Sequence, residues 1–181
     1  EGGYQVNQIN CLVQSANAAG TPLIRFFESD GIIVHSSAAA GTGNDSGRAV
    51  AIDSSGRIVV AGYSANATPN TDLAVWRFNS DGSLDTSFCA SGGNCVNNVF
   101  IHNSAAGGNG DDAGNAIAID SSGRIVVAGY SASASNTDLA VWRLTSSGAL
   151  DTTFDNDGFF IHNCAAGGVG SDAGFAIAMD S

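Results

Sequence analysis

The stretch Asp112-Ala-Gly-Asn-Ala-Ile-Ala-Ile-Asp120-Ser-Ser-Gly-Arg-Ile-Val-Val-Ala-Gly-Tyr130-Ser decides how this chain is read, because it is written twice. Its earlier copy is Asp45-Ser-Gly-Arg-Ala-Val-Ala-Ile-Asp53-Ser-Ser-Gly-Arg-Ile-Val-Val-Ala-Gly-Tyr63-Ser. Thr71-Asp-Leu-Ala-Val-Trp-Arg77 returns as Thr137-Asp-Leu-Ala-Val-Trp-Arg143, and a third beginning, Asp172-Ala-Gly-Phe-Ala-Ile-Ala-Met-Asp180, stands just before Ser181. Self-similarity at this spacing marks a repeat architecture.

Each unit reads as four short strands. The first alternates alanine with Ile, Val or Met, as in Ala116 to Asp120. It therefore has one small and one large apolar face, which suits a strand covered on both sides. Asp-Ser-Ser-Gly then makes a hairpin turn, with glycine available for a positive φ. The second strand is Arg-Ile-Val-Val-Ala-Gly-Tyr. The third, Asp72 to Phe78, sets Ala74, Trp76 and Phe78 on one face and Leu73, Val75 and Arg77 on the other. After a second turn and a looser stretch, Val99-Phe-Ile-His102 and Phe159-Phe-Ile-His162 read as fourth strands. Four antiparallel strands with apolar cover on both sides describe a propeller blade or a stacked sheet unit.

Counting places the ends of the sequence. Phe27-Glu-Ser-Asp-Gly-Ile-Ile-Val-His35 matches Phe154-Asp-Asn-Asp-Gly-Phe-Phe-Ile-His162, and 18 residues separate each of His35, His102 and His162 from the following aspartate, Asp53, Asp120 or Asp180. Joining Ser181 to Glu1 gives histidine periods of 67, 60 and 54, all near one full set of strands. The expected fold is thus all-β: three propeller-like four-stranded antiparallel blades, circularly cut so that the N-terminal strands complete the blade begun by the C-terminal strand. Residues 1–40 hold the second to fourth strands of the split blade, 41–103 and 104–163 are blades, and 164–181 is the first strand of the split one. Tyr4 to Ser15 and Thr21 to Phe27 are its second and third strands.

Composition sets limits. Hydrophobic residues are 44% of the 181, enough for a core, whereas charged residues are only 13%. With 6 Lys+Arg, all of them arginine, against 17 Asp+Glu, the net charge of −11 disfavours nucleic acid and anionic membrane surfaces, which need clustered cations. No apolar run approaches the ~18 residues of a membrane span. The start at Glu1, with Met179 the one methionine, reads as the product of processing. Four cysteines without a C-x-x-C pair, in a lysine-free Ser/Thr/Asn-rich chain, read as disulfides of an oxidising, extracellular compartment. Cys89 and Cys95 flank an insertion found in one unit and pair locally, which leaves Cys11 for Cys164.

Small-apolar strand, Asp-x-x-Gly-Arg-Ile-Val-Val-Ala-Gly, Asp-Leu-Ala-Val-x-Arg and Gly-x-Leu-Asp-Thr-x-Phe follow one another in this order. That succession resembles the bacterial delta-sixty repeat, a propeller-like family of unknown function. The resemblance covers Gly41 to Ser181, with Leu84-Asp-Thr-Ser-Phe88 and Leu150-Asp-Thr-Thr-Phe154 carrying the last motif. It implies a secreted or surface β-propeller protein, with no activity and no catalytic residues attached.

Candidate chemistry is sparse. Three equivalent histidines could hold zinc only by converging, and each is expected instead at the solvent end of an outer strand. Gly107-Gly-Asn-Gly-Asp-Asp112 and Gly167-Gly-Val-Gly-Ser-Asp172 fit a calcium-loop pattern, with a weaker copy ending at Asp45. Calcium is therefore the cofactor considered for Asp45, Asp112 and Asp172, against a plain role as connections between blades. Trp76 and Trp142 are expected in core packing. No hydrolase elbow, zinc-protease motif or phosphate loop occurs, and the expectation is that the protein is not an enzyme.

An apolar first strand with no hairpin partner beside it in sequence is an edge that must be covered. The candidate assembly strands are Phe175, Ile177 and Met179 at one end and Tyr4, Val6, Ile9 and Leu12 at the other. The expected function is an extracellular structural protein that self-assembles head-to-tail into filaments or matrix by β-strand complementation between subunits. Its partner is a copy of itself. The second reading is a monomeric adhesin- or lectin-like module for surface glycans.

Overall fold

The computed structural model describes residues 13–16, 22–24, 32–35, 38–39, 43–65, 70–107, 109–133, 136–163 and 170–180. Every element among them is a strand. β1 (Val13–Ala16) and β2 (Pro22–Ile24) form an antiparallel hairpin. The first large sheet contains β3 (Asp45–Ile52), β4 (Ile58–Ala65), β5 (Thr71–Phe78), β6 (Cys95–Val96) and β7 (Val99–His102), in the order β3-β4-β5-β7-β6. The second contains β8 (Asp112–Ile119), β9 (Ile125–Ala132), β10 (Thr137–Leu144) and β11 (Phe159–His162), in the order β8-β9-β10-β11. All pairings are antiparallel, and no closed sheet occurs among the described residues.

The repeated turn is built by its aspartate. Asp53 Oδ1 accepts from the Ser55 and Arg57 amides while Oδ2 takes the Arg57 Nε at 2.6 Å. Asp120 does the same with Ser122 and Arg124. The Leu-Asp-Thr-x-Phe motif is a second such device. Asp85 Oδ1 accepts from the Ser87 amide and hydroxyl, Oδ2 accepts from Arg77 Nε at 2.8 Å, and the Arg77 guanidinium lies 4.6 Å over the Phe88 ring. Asp151, Thr153, Arg143 and Phe154 repeat the arrangement. The aspartates cap turns, as the sequence suggests.

Three features differ from the sequence reading. The first strands begin earlier, at Asp45 and Asp112, and each carries a β-bulge, at Gly47/Ala49 and Gly114/Ala116. The bulge follows from Ala-Gly-Tyr on the neighbouring strand: a Cβ at Gly62 or Gly129 would stand 1.8 or 1.9 Å from the Ser46 or Ala113 carbonyl oxygen, so only glycine admits the crowded backbone. The insertion adds β6, so the first sheet has five strands rather than four. Residues 170–180 belong to no ladder, although a strand is expected at 175–179.

Candidate functional site: two open sheet faces

The interface between the two sheets is the reference for judging their outer faces. Val59, Ala61, Leu73, Val75 and Phe100 of the first sheet meet Ile125, Val127, Ala140, Trp142 and Leu144 of the second in one buried cluster, with Ile117 and Ile119 packed against it. The backbone of β8 crosses β3, β4 and β5. Burying these eight aliphatic and aromatic side chains larger than alanine, at about 1.5–3 kcal/mol each relative to exposure, makes the contact between sheets a main source of stability.

The same positions are uncovered on the outer faces. In the first sheet, Val50 and Ile52 occupy the places of Ile117 and Ile119, and they are 63% and 61% exposed. In the second sheet, Phe160 occupies the place of the fully buried Phe100 and is 38% exposed. Each open face is partly served by a short segment. On the first sheet, residues 32–35 and 38–39 bring Ile33, Ala38 and Ala39 onto Trp76, Phe78 and Val99. Trp76 Nε1 donates to His35 Nδ1 at 3.3 Å, just as Trp142 Nε1 donates to His102 Nδ1 at 3.4 Å. Residues 32–35 thus lie on the first sheet as β7 lies on the second.

Residues 170–180 serve the other face. A Cβ on Gly174 would meet Leu139 and Ala128, the counterparts of the Leu73 and Ala61 side chains that a Cβ on Gly114 would meet. The Asp172 amide donates to the Thr137 carbonyl and the Gly174 amide to the Gly129 carbonyl, at 2.9 Å each. This segment therefore lies on the second sheet as β8 lies on the first, with Phe175 78% and Met179 41% exposed.

Along the first strands runs a polar row. The bulges turn out the equivalent residues Arg48 and Asn115. Arg48 Nη1 donates to Asn115 Oδ1 at 2.7 Å, and Asn115 Nδ2 donates to the Gly174 carbonyl at 3.0 Å. The Arg48 guanidinium also lies 4.8 Å from the Tyr63 ring centre and 5.9 Å from that of Tyr130.

The histidines do not converge on a metal, and only His162 is at the solvent. His102 is buried against Trp142 and Phe159, its ring centre 4.9 Å from the latter. Burial, against a weak opposing pull from Asp157, lowers its pKa to about 4. Its Nδ1 accepts the indole N–H, which a protonated Nδ1 could not do. Sequence reasoning missed this burial, because an alternating Val-Phe-Ile-His strand carries no mark of the indole that arrives from the next unit.

Asp45, Asp112 and Asp172 stand on three successive first-strand positions and are not brought together. Among the described residues no three His, Cys, Asp or Glu side chains converge on a point. The partners of the first two are donors. Asp45 Oδ2 accepts from the Ala38 amide, and Asp112 Oδ2 accepts from the Ser104 amide at 2.9 Å. Ser64 and Ser131 hydroxyls accept from the Ala39 and Ala106 amides in the same loops. These acids staple the connections between sheets. Asp112 is fully buried, and its Oδ1 has no hydrogen-bond partner. Burial pushes its pKa up to about 6, with the donors from Ser131 and Ser104 opposing and Asp72 and Asp111 adding to the rise.

Cys89 and Cys95 form the expected disulfide, with their Cα atoms 5.2 Å apart. Tyr4, Val6, Ile9, Cys11, Leu12 and Cys164 lie outside the described residues. Trp142 is fully buried and Trp76 nearly so, in core packing as expected.

Residues 54–88 and 121–154 each match a family described as "Domain of unknown function (DUF5122) beta-propeller". Both matches run from the first hairpin turn through the Phe88 or Phe154 of the second device. No curated protein matches the chain. With two antiparallel sheets of the same repeat packed face to face, the chain carries a β-propeller-like repeat.

Proposed function

We propose that this is an extracellular, non-enzymatic structural protein whose copies join head-to-tail, each completing a blade begun by the last. The observation that carries the reading is the equivalence of the two open faces with the two halves of the buried internal interface. Val50 and Ile52 stand where Ile117 and Ile119 are covered, and Phe160 stands where Phe100 is covered. A blade of the same kind, inserted between the second sheet of one copy and the first sheet of the next, would satisfy both.

Its parts are accounted for in three places. Residues 170–180 supply a first strand, and residues 32–35 a fourth. β1 and β2 supply a hairpin whose closing pair, Ala16 with Pro22, repeats Ala65 with Thr71 and Ala132 with Thr137. The circular cut and the narrower likeness to delta-sixty repeats belong to this reading. The Cys89–Cys95 disulfide supports an oxidising compartment.

The test is assembly of the 181-residue chain. Sedimentation across a concentration series and electron microscopy should give filaments. Excess peptide spanning residues 1–40 should cap and shorten them. A single 18 kDa species at every concentration would overturn the proposal.

A second reading, a glycan-binding module, has one observation in its favour. A cleft of about 440 Å³ on the second sheet is lined by Tyr130 and Phe175 with Asp111, Thr137 and Asp172, a pairing of ring faces and oxygen acceptors suited to a neutral sugar. The two readings compete for Phe175, so a glycan that binds there should block polymerisation.

A further inference from the structure

We propose that the row Arg48–Asn115–Phe175 continues from copy to copy, so that Phe175 of one molecule packs on the Arg48–Tyr63 pair of the next. This inference rests on the head-to-tail reading and names its contact. The three residues are equivalent, each following Asp-x-Gly in a first strand. Two steps of the row exist within the chain: Arg48 reaches Asn115, and Asn115 reaches the Gly174 carbonyl. Arg48 also approaches Tyr130, the tyrosine of the sheet that follows its own. By the same geometry, Phe175 approaches the tyrosine of the sheet that follows residues 170–180. In a polymer that sheet is the first sheet of a second copy, and its tyrosine is Tyr63.

The chemistry matches. Among the described residues the row reaches Phe175, an aromatic ring 78% exposed. It starts at an exposed guanidinium that already lies near the Tyr63 and Tyr130 rings. An aromatic ring against a guanidinium–tyrosine pair combines apolar burial with cation–π attraction. The row also gives the polymer direction, because an aromatic end and a cationic end attract each other whereas two cationic ends repel.

The experiment uses two singly substituted full-length chains, Phe175→Cys and Arg48→Cys, mixed and treated with a short bis-maleimide. Covalent dimers should form in the mixture beyond those seen in either chain alone or in the parent protein. If filaments form and the mixture gives no additional dimer, the row is wrong while the head-to-tail reading stands. If a third chain carrying both substitutions closes on itself as a cross-linked monomer and no filaments form, copies do not join and both fail. Phe175→Ala supplies an independent measurement: it should raise the critical concentration for assembly about tenfold. Phe175→Trp should restore it, and circular dichroism and the thermal midpoint should stay those of the parent. An unchanged critical concentration would overturn the contact.

Discussion

Two buried titratable side chains set opposing pH responses. The Asp112 value of about 6 lies above the ordinary 3.8, so its contribution favours the fold at acid pH and is lost as pH rises through about 6. His102, lowered from 6.5 to about 4, contributes above 6.5 and loses that contribution as pH falls through about 4. Between about 4 and 6 the two slopes oppose each other. Asp112→Asn should therefore expose the histidine, giving stability that drops steeply on acidification where the parent is flatter. At neutral pH the variant should gain on the order of 2 kcal/mol, because a buried carboxylate no longer has to ionise. Urea midpoints measured at several pH values check both points. Neither response was legible in the sequence. Asp112 reads there as part of a glycine-rich loop that could take calcium, and only the packing of neighbouring strands reveals an enclosed acid between serine donors.

At the scale of elements, most of the fold was legible, because doubled copies of Asp-Ser-Ser-Gly-Arg and Leu-Asp-Thr-x-Phe fix where strands start and stop. The bulges were not, since they arise from backbone crowding between Gly62 or Gly129 and the facing strand. Gly129→Ala should destabilise by about 3 kcal/mol or more in urea titrations, because its Cβ meets backbone that cannot move aside. Gly148→Ala belongs with it: φ is +90° there, and the added carbon would stand 2.7 Å from the Phe88 ring. Replacing both Cys89 and Cys95 by serine should cost about 2 kcal/mol, the loss expected for a short closed loop. Circular dichroism should show the strands retained, because the bond spans only the insertion.

For the whole molecule, the prediction concerns surfaces rather than stability. Val50→Asp combined with Ile52→Asp should abolish filaments in electron micrographs while leaving the thermal midpoint nearly unchanged, since both side chains are mostly exposed in the single chain. Assembly should also strengthen with salt. Chains carrying a net charge of −11 repel one another, and the screening length falls from about 30 Å at 0.01 M to about 8 Å at 0.15 M. The third copy of the first-strand sequence was visible at residues 172–180, but its seat on β9 and β10 was not, because single-chain patterning says nothing about which face receives it. The insertion closed by Cys89 and Cys95 has one more effect at this scale. The Cys89 amide donates to the Ser147 carbonyl, and Phe88 fills the space beside Gly148, so the join between the two sheets differs from every other join a polymer would contain. In such a polymer near-identical modules could otherwise dock one step out of phase; this bulky knuckle, present once per subunit, would act as a key that admits a single phase.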